Sequence, residues 1–97
     1  MSEMDIEATA LLIYLAIFSD EESVEIEFEK YPIKKTRATK IRFVKLGGYT
    51  FIEQNPLGLT PWGKEGKGHQ TMWVMRDKKY IARVRDGVFQ KIQYTGD

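Results

Sequence analysis

The sequence predicts an α+β fold, with one buried N-terminal helix packed on an antiparallel sheet of five to six strands and curling into a partial barrel as a variant. Three observations predict it. An apolar run from Ala8 to Phe18 follows an acidic start, the stretch from Lys40 to Gln54 reads as a hairpin about Gly47-Gly48, and three further strand patterns close the chain.

Asp5 is positioned as an N-cap, and Ile6 to Phe18 then forms three to four helical turns, apolar nearly all round, which calls for burial. A strand reading of Leu11 to Phe18 stays open, because Ile, Tyr and Phe suit strands as well. Ser19-Asp20-Glu21-Glu22 has capping-box spacing and is either a short helical turn or a polar loop. From Val24 to Glu29 the alternation is strict: Val24, Ile26 and Phe28 face one way and Glu25, Glu27 and Glu29 the other. Lys30-Tyr31-Pro32 ends that strand or places it at an edge, since proline has no amide to donate. Ile33 to Thr39 reads as a basic loop.

Pairing outward from Gly47-Gly48 sets Leu46 opposite Tyr49, Val44 opposite Phe51 and Arg42 opposite Glu53 on one face, with Phe43 opposite Ile52 on the other. Both faces are therefore apolar and want cover, from sheet curvature, from the loop at Asn55 to Gln70 with Trp62 as its plug, or from a second copy in a homodimer. That loop holds two prolines and four glycines without periodicity, a length for which function is a frequent reason. Beyond it, Thr71 to Arg76, Lys79 to Val84 and Val88 to Tyr94 read as strands, joined through Asp77-Lys78 and Asp86-Gly87.

The 97 residues predict a single domain over 1–97. With no cysteine, thiol catalysis, thiolate-bound zinc and a secreted disulfide framework drop out, and a cytoplasmic address is the default. The apolar run of 11 residues is shorter than the roughly 20 that a membrane span needs, and Glu3, Asp5 and Glu7 stand where a signal peptide would be basic. A single asparagine beside 30% charged residues is a bias of heat-adapted proteins.

Charge is the main functional clue. Residues 1–29 carry nine acidic and no basic side chains, and residues 30–97 carry fifteen basic and five acidic ones, so a net charge of +1 hides halves of −9 and +10. Either the two halves neutralise one another or the basic half binds a polyanion. The bases alternate with aromatics, which is how single-stranded nucleic acid is held, with cations on phosphates and flat rings on bases. The residues expected to do so are Arg42, Lys45, Trp62, Lys64, Lys67, His69, Arg76, Tyr80, Arg83 and Arg85. Trp73, inside the apolar strand Met72 to Met75, is assigned to the core.

Other chemistries fit less well. Gly58 to Lys64 matches the first seven positions of a phosphate-binding loop, but Glu65 stands where a Ser or Thr hydroxyl should meet magnesium. The lone His69 and the strand-face row Glu25, Glu27, Glu29 do not make a metal site, and no cofactor fingerprint is present. The leading expectation is a nonenzymatic binder of single-stranded DNA or RNA, without membrane contact. A protein-interaction module comes second, using the second apolar sheet face. Third is a small ribonuclease with His69 as its acid-base group and Lys64, Lys67, Arg76 or Tyr80 as partners.

Overall fold

Asp5 opens the helix as expected: its backbone is extended and its carboxylate accepts from the Ala8 amide at 3.1 Å. The computed structural model describes residues 5–37, 40–54 and 70–92. The helix, α1, spans Ile6–Phe18. It buries Ala10, Ile13, Tyr14, Ala16 and Ile17, while Leu12 (47% exposed) and Leu15 (60%) look outward, so burial is one-sided. In a two-layer arrangement a single helix has only one face to spend on the sheet.

Eight strands follow among the described residues. Ser23–Ile26 (β1) and Glu29–Pro32 (β2) form a separate hairpin. Lys34–Lys35 (β3), Arg42–Leu46 (β4), Tyr49–Glu53 (β5), Thr71–Arg76 (β6), Lys79–Arg85 (β7) and Val88–Lys91 (β8) form one antiparallel sheet in sequence order. The sheet stays open and does not close into a barrel. Among the described residues no helix is long and apolar enough to cross a membrane.

The Gly47-Gly48 register is the expected one, with Leu46 opposite Tyr49, Val44 opposite Phe51 and Phe43 opposite Ile52. Positive φ at both central residues marks type I′ turns at Gly47-Gly48, Asp77-Lys78 and Asp86-Gly87. Between Val74 and Met75 the β6–β7 register shifts, leaving Ile81 as the extra residue of a bulge that turns its side chain onto the core.

Three readings are corrected. Val24 to Glu29 is not one strand: the chain reverses at Glu27-Phe28, with φ of 49° and 68°, and β2 pairs back on β1. Alternation of period two runs unbroken through such a turn when no Gly, Asn or Pro marks it, and the packing of Tyr31 and Ile33 on the core brings the chain back. Phe28 therefore sits at a hairpin tip, 97% exposed, instead of beside Val24 and Ile26. Part of the expected loop from Ile33 is strand, β3, paired with β4. The last strand ends at Lys91, short of Ile92, and Gln93 and Tyr94, also expected in it, lie outside the described residues.

The core lies between α1 and one face of the sheet. Val44, Phe51, Met72, Val74, Ala82 and Val84 come from the sheet, Ile13 and Ile17 from the helix, and Val24 and Ile26 from the β1–β2 hairpin. Each of the larger of these side chains contributes on the order of 1.5–3 kcal/mol through burial.

Candidate nucleic-acid interface

Because side chains alternate along a strand, the residues between the core positions line the opposite, outer face. One row crosses five strands: Phe43, Ile52, Trp73, Arg83 and Gln90 stand as successive register partners. A second row runs Lys45, Thr50, Met75 and Tyr80. Lys34 pairs with Phe43 at one edge, and Arg85 pairs with Val88 at the other. Its described strand positions carry Lys34, Lys45, Arg83 and Arg85 and no carboxylate.

At the centre of this face the Trp73 and Tyr80 rings meet edge to face, 5.3 Å apart at 65°. The Arg83 guanidinium lies over the indole at 5.8 Å, and its Nε donates to Gln90 Oε1 at 2.9 Å. The indole in turn donates from Nε1 to Gln54 Oε1 at 3.1 Å. Trp73 is thus held in a fixed orientation by three neighbours while remaining half-exposed. It is not a core residue, which corrects its assignment from sequence. The core takes its strand neighbours Met72 and Val74.

Of the residues expected to bind, Lys45, Tyr80, Arg83 and Arg85 share this face. Arg42 does not. It points toward the helix, where its Nε and amide donate to Glu53 and its Nη1 donates to the Ile17 carbonyl and to Asp20. Hydrogen bonding to Glu53 holds its guanidinium above the ordinary arginine pKa. Arg76 also lies on the helix side, over the Tyr49 ring at 5.2 Å and donating to the Tyr49 hydroxyl at 3.1 Å. Trp62, Lys64, Lys67 and His69 lie outside the described residues, as does nearly all of the loop containing them.

The described residues of the acidic half are on the other layer. The β1–β2 hairpin packs by Val24 and Ile26 into the core beside α1, with Glu25, Glu27 and Glu29 exposed. Glu25 stands opposite Lys30, and Glu29 accepts from the Tyr31 hydroxyl at 2.7 Å, a bond that raises the tyrosine pKa. Among the described residues, none of these three glutamates forms an ion pair with a cation of the outer face. Nor do the described residues gather three His, Cys, Asp or Glu side chains in a metal-holding group.

The chain matches no protein-family model, no curated protein and no solved structure. Its functional reading therefore rests on its own geometry. The sequence signal that pointed to Trp73 was present in the hairpin register: Phe43 and Ile52 fall on the face away from Val44 and Phe51, and Trp73 continues their row.

Proposed function

We propose that the protein binds single-stranded nucleic acid on the outer face of its six-stranded sheet. The observation that carries this is the Trp73–Tyr80–Arg83 cluster, two rings and a stacked guanidinium on a face whose described strand positions hold cations and no anions. Bases stack on Trp73 and Tyr80, and the phosphates between them meet Lys45, Arg83 and Arg85. A single strand is favoured over a duplex because unstacked bases reach flat rings on a broad sheet face, whereas reading a major groove takes a helix or a two-stranded ribbon laid into it. The one helix described, α1, has no basic residue.

Titration of labelled single-stranded DNA, single-stranded RNA and duplex at two salt concentrations tests this. Single strands are expected to bind more tightly than duplex, with log K falling by about 0.7 per phosphate contact for each tenfold rise in salt. Failure of any single strand to bind at low salt overturns the reading. A protein-interaction module is the second reading, favoured by the exposed Leu12 and Leu15 on the outer side of α1. An apolar interface of that kind responds little to salt.

A further inference from the structure

Phe28 is the most conspicuous side chain outside the sheet face. Its ring is 97% exposed, and its backbone sits at φ 68°, a region that Gly and Asn enter far more readily than Phe. The other three two-residue turns among the described residues place Gly-Gly, Asp-Lys and Asp-Gly at the same positions, none of them apolar. An aromatic ring that is both solvated and backbone-strained lowers stability on two counts, and residues of that kind cluster where binding uses them. Around it stand the exposed carboxylates Glu25, Glu27 and Glu29 with one exposed cation, Lys30, opposite Glu25, so the hairpin is net acidic.

A ring flanked by anions is the chemistry that the outer sheet face is built to receive. We infer that the Phe28 hairpin of one copy docks on the outer sheet face of a second copy, with Phe28 against Trp73 and Tyr80 and its glutamates against Lys45, Arg83 and Arg85. This rests on the reading of that face as a cationic, aromatic binding surface. Docking within one copy is excluded by the fold, since Val24 and Ile26 hold the hairpin in the core on the helix side of the sheet. The contact joins two different surfaces, so it propagates head to tail. Nucleic acid and the hairpin then compete for one face, and self-association keeps that face covered until a strand displaces it.

Sedimentation of the full chain over a concentration series provides the test. Wild type is expected to associate at about 50 mM salt and to disperse at about 500 mM, because screening weakens the charge pairing. Phe28→Asn is expected to weaken association by about 30-fold or more, as for a central aromatic anchor. Its melting temperature should hold or rise, because asparagine tolerates the positive φ. An Arg83→Gln/Arg85→Gln variant should also be monomeric. Mixing it with Phe28→Asn restores one intact hairpin and one intact face, and should give a one-to-one dimer. A mixture that stays monomeric, a Phe28→Asn chain that associates like wild type, or a wild type that is monomeric at low salt overturns the inference. If wild type is monomeric but binds oligonucleotide, only self-docking fails. If complementation succeeds but no oligonucleotide binds, self-docking stands and the nucleic-acid reading fails.

Discussion

Arg42 and Glu53 lock the open end of the β4–β5 hairpin to the C-terminus of α1. Glu53 Oε1 accepts from the amide and from Nε of Arg42, each at 2.8 Å, Oε2 accepts from Nη2 at 3.0 Å, and the carboxylate is fully buried. Glu53→Ala should destabilise the protein by about 1–3 kcal/mol, because the Arg42 amide and Nε lose their acceptor while Nη1 keeps the Ile17 carbonyl and Asp20. Replacing the pair by Arg42→Met/Glu53→Leu should cost far less, since neither charge is then left unpaired. Chemical denaturation of the three chains checks both expectations.

Trp73 and Phe51 are neighbours across β5–β6 with opposite roles. Trp73→Ala should weaken single-strand binding by roughly 1–3 kcal/mol and leave the fold intact. Phe51→Ala, at a fully buried position, should lower stability by about 3–5 kcal/mol. Circular dichroism melts run beside the binding titration separate the two effects.

Salt dependence distinguishes the two faces of the sheet. Lys45→Ala and Arg85→Ala should each reduce the slope of log K against log salt by about 0.7. Arg76→Ala should leave the slope unchanged, because its guanidinium is engaged with Tyr49 on the helix side.

The turn at Asp77-Lys78 places lysine at φ 64°. Lys78→Gly removes the Cβ that disfavours this conformation, and a gain of about 1 kcal/mol is expected by urea denaturation.

Burial raises the Tyr14 pKa above its ordinary 10.0. Its neutral form is then favoured in the folded state, so its contribution is complete below pH 10 and declines as pH climbs through the folded value, where the unfolded chain has already lost the proton. Tyr14→Phe should flatten the alkaline fall in stability. Melting temperatures between neutral and strongly alkaline pH measure it.

Much of the fold was legible because local patterns agreed. The Asp5 cap with the Ala8–Phe18 run marked α1, paired glycines marked the β4–β5 turn, and Asp86-Gly87 marked the β7–β8 turn. The turn at Glu27-Phe28 was not legible, because neither residue type signals positive φ. The candidate site was legible in composition and only partly in placement. Lys45, Tyr80, Arg83 and Arg85 share the outer face, while Arg42 and Arg76 were grouped with them by the interleaving of bases with aromatics, which does not separate the two faces.

By itself the sequence determined how β4 registers on β5, where the strands after Thr71 run, and that each strand has two unlike faces. Only the tertiary structure decided which face α1 covers. Alternation separates Trp73 from Val74 and Lys45 from Val44, but it does not label either set as inside. That label comes from long-range packing of Ile13 and Ile17 on Val44, Phe51 and Val74, which turns Arg42 into an anchor and leaves Trp73 on the outer face.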